Sequence, residues 1–265
     1  MSRCLHLVVA CLMLGVAHGA GNATAPEKLA WPRIYLFGDS LTQYSFSPDG
    51  YWGSIVADAF SRKCDVVVRG YGGYNTRMCK HVLRRVLAPR DAEHVAAFVI
   101  MLGSNDGLEP EHRGRTHVPL LEYEANLEEM VDYLKSCGVP EKKVIIATPP
   151  PVDEGRWAHL HGPSGRPTVV VKSIEKYAQA CVKLGERRGI AVVDSFRGLQ
   201  QNGNWKKRLL SDGVHFSRAG SEKFAELLLP TLKKVVGNVP RIFKDYRDLD
   251  RSNVGKSINE WKPSR

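Results

Sequence analysis

Cysteine is scarce in this chain, apolar runs are short and internal repeats are missing, and each absence removes a class of protein. Six cysteines in 265 residues are too few for a disulfide scaffold. Cys4 and Cys11 fall in the first 20 residues, and the spacings among Cys64, Cys79, Cys137 and Cys181 match no zinc pattern. Cys64, Cys137 and Cys181 sit inside or at the ends of apolar segments, where a thiol packs as a small hydrophobe. Free buried thiols are therefore expected, with one disulfide as the alternative if the chain is exported. The longest apolar run, 5–16, is interrupted by His6 and falls short of the roughly 20 residues a membrane-spanning helix needs, so no integral membrane segment is expected. No repeat of solenoid or propeller length is found. His159 and His161 have no acidic or cysteine partner at ligand spacing, and His81, His94, His112 and His117 are equally isolated, so neither a metal nor another cofactor is expected.

Charge is in excess on one side, with 38 basic against 28 acidic residues and a formal net charge of +10. The basic residues are scattered as Arg84-Arg85, Arg187-Arg188, Lys206-Lys207-Arg208 and Lys233-Lys234, without interleaved aromatics. That distribution reads as a solvated basic surface, with no nucleic-acid partner. Oligomeric state is not legible.

What is present is ordinary globular composition, 43% hydrophobic and 25% charged. Arg3, the apolar run after it and Ala17-His18-Gly19-Ala20 have the parts of a secretory signal peptide over residues 1–20. Secretory or extracellular localisation is the expectation, with a cytoplasmic chain bearing an N-terminal extension as the alternative. Asn22-Ala23-Thr24 is a glycosylation sequon that matters only on export. One domain is expected over 31–239, followed by a polar tail, 240–265, expected to be extended over the surface or disordered.

Within the domain, nearly continuous apolar runs at 33–37, 64–69, 95–102, 143–148 and 189–193 predict strands covered on both faces. Amphipathic stretches at 51–63, 76–87, 119–137, 169–188 and 217–236 predict helices between them. Alternation of this kind implies an α/β fold, a three-layer α/β/α sandwich around a doubly wound, five-stranded parallel sheet. Residues 149–167, with Trp157, His159 and His161, read as a long loop of functional or mobile character.

In such a sheet, ligands bind beyond the carboxyl ends of the strands. There the chain places Gly38-Asp39-Ser40-Leu41, Gly70-Tyr71-Gly72-Gly73 and Gly103-Ser104-Asn105-Asp106, with Ser211-Asp212-Gly213-Val214-His215 ahead of the last helix. Acyl transfer needs a hydroxyl nucleophile, a base, a group that orients the base, and donors for the oxyanion. Ser40 fits the first role, His215 the second and Asp212 the third. Backbone N–H groups of Ser40 and Gly73 with the Asn105 amide fit the fourth. Asp39 and Asp106 read as turn residues. Tyr44, Phe46, Tyr51 and Trp52 are candidates for an acyl pocket, with core packing equally open for Trp52. There is no Gly-x-Ser-x-Gly elbow, which separates the chain from the α/β-hydrolases.

These blocks resemble the SGNH (GDSL) hydrolase superfamily, whose Ser, Gly, Asn and His match Ser40, Gly73, Asn105 and His215. Trp31-Pro32-Arg33, Gly73 to Arg77, Pro119-Leu120 with Glu122-Tyr123 and Asn126-Leu127, and Leu210 to Gly213 are further similar to the isoamyl acetate-hydrolysing esterase group. The resemblance spans about 31–236 and implies a flavodoxin-like SGNH fold and a serine esterase acting on short-chain, acetyl-type carboxylic esters through an acyl-enzyme. Small-molecule esters are then the partners. A glycan O-acetyl esterase or a longer-chain lipase is the alternative within enzymes, and an exported non-catalytic binding protein the alternative outside them.

Overall fold

The computed structural model describes residues 29–108, 116–161, 171–201 and 203–262. The leader, the sequon and His112 lie outside the described residues. Five parallel strands form one sheet in the order β2-β1-β3-β4-β5. They are β1 (Arg33–Gly38), β2 (Asp65–Gly70), β3 (Val95–Met101), β4 (Val144–Ala147) and β5 (Ala191–Val193). The helices, in chain order, are α1 (Ser40–Gln43), α2 (Trp52–Ala59), α3 (Thr76–Val86), α4 (Leu120–Ser136), α5 (Glu154–His161), α6 (Val171–Arg188), α7 (Ser195–Leu199), α8 (Trp205–Leu209), α9 (Arg218–Val236) and α10 (Val254–Asn259).

The pleat sorts the strand residues into two cores. Tyr35, Phe37, Phe98 and Ile100 pack under α3, α4 and α6 with Leu83, Leu127 and Leu184. Ile34, Leu36, Val99 and Met101 face the other way, against Trp52 of α2 and Phe224 and Leu228 of α9. Alternate side chains point to opposite faces, and both faces are covered, so all seven residues of β3 are buried. This is the expected three-layer α/β/α sandwich. Because the order reverses between β1 and β3, a crevice opens above their carboxyl ends, where ligands bind in such sheets.

Cross-helix charge pairs clothe the outer layer. Arg77, Lys80 and Arg84 of α3 meet Glu122 and Glu129 of α4, and Arg188 of α6 reaches Asp132 and Glu141. Part of the basic excess is thus spent on neighbouring helices. All four cysteines from Cys64 onward are free and buried, as their apolar settings imply.

Two expectations fail. The stretch 149–167 is not loop throughout, because α5 occupies its middle, with Trp157 N–H donating to the Asp153 carbonyl at its start. Of its residues 154–160, Ala158 alone is fully buried, so no apolar period announces the helix; 162–170 lies outside the described residues. Nor is the tail a loose extension through 240–262. Ile242 is buried, Phe243 packs on Trp261, and α10 lies between them in the chain. Arg62, which takes a left-handed backbone (φ 59°) in the turns between α2 and β2, donates its guanidinium to the carbonyls of Ile242, Phe243 and Lys244. Three carbonyls on one cation fix the tail against the amino-terminal ends of the strands.

Replacing Arg62 with alanine is expected to lower unfolding free energy by about 1–3 kcal/mol, since charge-assisted hydrogen bonds are lost. Ester turnover should not change, because the contact lies at the end of the sheet away from Ser40. Urea denaturation beside a turnover assay checks both halves.

Candidate active site

Ser40 begins α1 where β1 leaves the sheet. Asp39 caps that turn, its Oδ1 accepting from Leu41 N–H at 2.9 Å. The capping carboxyl is fully buried, and burial pushes its pKa up to about 7 against the opposing hydrogen bond from Leu41. Gln43, the last residue of the turn, accepts from Gly72 N–H at 2.7 Å and so ties the nucleophile turn to the loop after β2.

On that loop Gly73 adopts a left-handed backbone, φ 78°. A Cβ at this position would meet no atom within 4 Å, so the conformation itself selects glycine. Asn105 follows β3, and its amide donates to the Tyr74 carbonyl at 2.8 Å. An amide nitrogen carries two hydrogens, and this bond fixes one of them. Asp106, beside it, is buried and accepts from both the N–H and the hydroxyl of Thr76, at 2.9 and 2.5 Å, while Asn126 of α4 donates to the same hydroxyl. Burial lifts the Asp106 carboxyl to about 6 despite those bonds. A residue that reads as a turn former therefore locks Asn105 to α3 and α4. Its partner Thr76 stands 30 residues from it, beyond any local pattern.

The fourth segment closes the site. His215 Nε2 lies 2.8 Å from Ser40 Oγ, and His215 Nδ1 lies 2.6 Å from Asp212 Oδ2. The other Asp212 oxygen accepts from the N–H groups of Val214 and His215, at 2.9 and 2.8 Å. Burial alone would raise the Asp212 carboxyl, but these bonds and the neighbouring imidazole hold it well below the usual range. Burial also works against a charged His215, yet the hydrogen bond to Asp212, that carboxylate's charge and the charge of Asp39 outweigh it and raise the ring's pKa above the ordinary 6.5.

The turn from 211 to 215 is anchored from outside by residues that sequence reasoning did not single out. Asp153 N–H donates to the Gly213 carbonyl at 2.7 Å, and Arg156 donates to the Leu210 carbonyl at 2.8 Å. Tyr44 and Trp157 present rings edge-wise to His215, with centroids at 5.6 and 6.2 Å. Of the aromatic candidates, Tyr44 and Phe46 are half exposed near the nucleophile. Trp52 is core, fully buried and donating to the Leu41 carbonyl, and Tyr51 turns outward to Glu222. His159 is exposed, and among the described residues no three His, Cys, Asp or Glu side chains gather as a metal site. Among them, too, no helix is long and apolar enough to cross a membrane.

Comparison with known proteins agrees with this architecture. Residues 36–223 match the model of the GDSL-like Lipase/Acylhydrolase family, and the chain belongs to that family. It is a carboxylic ester hydrolase. An isoamyl acetate-hydrolyzing esterase 1 homolog from Rattus norvegicus is 39% identical over 240 residues, covering 89% of this chain and 95% of the relative. A GDSL esterase/lipase of Arabidopsis thaliana is 41% identical over 239 residues, covering 86% and 98%. Among solved structures, a lipase/acylhydrolase from Enterococcus faecalis shares the fold at TM-score 0.60 and 22% identity, over 79% of this chain and 98% of that one. An acetyl-xylooligosaccharide esterase from Geobacillus does so at TM-score 0.58 and 21% identity, over 78% and 96%.

Gly213 has φ 102°, and a Cβ there would come within 2.5 Å of the Asp153 carbonyl oxygen and 2.8 Å of Trp157 N. Gly213→Ala must therefore shift the turn that carries both Asp212 and His215. A displacement of that kind near reacting groups costs about 100-fold in rate, so kcat/KM should fall by that order while the protein stays folded. Steady-state kinetics with circular dichroism checks this.

Proposed function

We propose that Ser40 is the nucleophile of this hydrolase, with His215 as its base and Asp212 as the residue that orients the base. The observation that carries this reading is the continuous hydrogen-bond chain from Asp212 through His215 to Ser40, at 2.6 and 2.8 Å. In acylation, Ser40 Oγ bonds to the ester carbonyl carbon as its proton passes to His215 Nε2. The carbon–oxygen bond to the alcohol then breaks, and the same proton goes to the departing oxygen. Water repeats the sequence, giving its proton to His215, releasing the acid and restoring Ser40. Asp212 stays ionised throughout, stabilising the imidazolium.

Developing negative charge on the carbonyl oxygen is met by the Ser40 and Gly73 N–H groups and the Asn105 amide. The fixing of Asn105 by Tyr74 and of Gly72 by Gln43 supports this role, because donors held in place need no reorganisation during reaction. Short acyl groups of the acetyl type are the preferred substrates in this reading. The names of the relatives support it, since the one from Rattus norvegicus is called a homolog of an isoamyl acetate-hydrolyzing esterase and the one from Geobacillus an acetyl-xylooligosaccharide esterase. A reading as a non-catalytic binding protein would leave the Asp212–His215–Ser40 chain without a purpose.

Ser40→Ala and His215→Ala are expected to remain folded and to lose turnover on p-nitrophenyl esters from acetate to palmitate, with excess EDTA present. Asn105→Ala should lower kcat by about 100- to 1,000-fold. Full activity in any of the three would overturn the assigned roles. Because a protonated imidazole cannot accept the Ser40 proton, kcat/KM should rise with pH through an acidic limb above the ordinary histidine value of 6.5. A rate that is flat from about pH 5 to 8 contradicts a histidine base.

A further inference from the structure

A cleft of about 250 Å³ opens beside the reacting groups, and its walls say which half of the ester it takes. His215 and Asp212 line it, as do Leu41, Tyr44 and Phe216 on its apolar side and Ser47, Asp49 and Ser211 on its polar side. Ser40, Gly73 and Asn105 do not line it, nor does Trp157, the second ring against His215, so the cleft borders the reacting centre through His215 and Asp212. The cleft thus lies on the side of the base and away from the oxyanion donors.

Acyl transfer divides an ester in space. The carbonyl oxygen must face the oxyanion donors, while the alcohol oxygen must come within reach of His215 Nε2, which returns the Ser40 proton to it. Whatever is attached to that alcohol oxygen is carried to the base's side. We propose that this cleft is the subsite of the leaving alcohol, and that it admits an uncharged alcohol and disfavours an anionic one. The proposal rests on the serine–histidine reading given above.

Size and charge follow from the walls. At about 30 Å³ for each water-sized atom, the cleft holds about eight non-hydrogen atoms. Of the polar side chains that line it, the two serines are already committed to the chain. Ser47 Oγ accepts from Gly50 N–H at 3.0 Å, and the Ser211 hydroxyl donates to the His215 carbonyl at 3.2 Å. Asp49, the acidic residue of this wall, engages α9 through its backbone carbonyl, which accepts from the Ser221 hydroxyl. A negative wall repels carboxylate- or phosphate-bearing alcohols, and Leu41, Tyr44 and Phe216 favour an alkyl or aryl group.

Two ester series test the assignment. One keeps acetate and varies the alcohol from methyl to decyl; the other keeps ethanol and varies the acyl group. Wild-type kcat/KM should climb with alcohol size to about eight non-hydrogen atoms and then decline. Ser47→Trp, which fills the cleft, should lower the ratio for hexyl over methyl acetate by about tenfold or more and leave the acyl-length ratios in place. A change in the acyl ratios with none in the alcohol ratios would make the cleft an acyl site and overturn the proposal, as would no change in either with an intact fold.

Asp49→Lys, at an exposed position, guards against misfolding of the bulkier variant. It should improve turnover of the acetyl ester of glycolate relative to ethyl acetate by about tenfold, since a repelling charge becomes an attracting one. An unmoved ratio overturns the charge assignment. Failure of the serine reading is separate and visible, because Ser40→Ala would then keep its activity on both series.

Discussion

The hydrogen bond between His215 and Ser40 joins residues 175 positions apart, and the rest of the architecture is arranged so that this one contact can form. Ser40 has little freedom, since it begins a four-residue helix directly at the end of β1, capped by Asp39. His215 arrives from the segment between β5 and α9, on a tight turn whose backbone is tied to Asp212, Asp153 and Arg156. The β2-β1-β3-β4-β5 order places both beside the crevice above β1 and β3, where Gly73 and Asn105 also stand. Packing of α9 through Phe224 and Leu228 then holds the segment carrying the base against the sheet.

Electrostatics beneath the nucleophile are as constrained as the geometry. Asp39 and Asp106 are both buried acids, brought together where β1 and β3 leave the sheet, and each is pushed toward neutrality by burial. A buried carboxyl without a cation is costly as a charge, so these groups act chiefly as acceptors for the Leu41 and Thr76 donors that shape the loops. Asp212, by contrast, has three donors and stays ionised. Three aspartates within one site are thus shifted in opposite directions because their surroundings differ: burial raises Asp39 and Asp106, while its donors lower Asp212.

Much of this was legible in the sequence because the sheet is simple. β1 and β3 are runs of continuous apolarity whose length and type settle their place, and their exits carry Ser40 and Asn105 with no intervening loop to misread. Asp212 and His215 were legible as a pair because both lie on one turn. The supporting residues were not. Gln43 reaches Gly72 across 29 positions, and Asp106 reaches Thr76 across 30, contacts that no periodicity or local motif encodes. Helix α5 escaped because it buries little of itself against the core, and the ordered tail because its hold on the body comes from Arg62, nearly 180 residues earlier. Pattern reveals what is repeated or local; single long-range hydrogen bonds are neither.

The measurement that bears most directly on the account is identification of the covalent intermediate. Rapid quenching during turnover of p-nitrophenyl acetate, followed by peptide mass spectrometry, should place an acetyl group on Ser40 that accumulates before steady state, and a fluorophosphonate should label the same residue. The His215→Ala protein should acquire neither. Acylation at another residue, or turnover with Ser40 never modified, would contradict the serine mechanism on which this reading of the site depends.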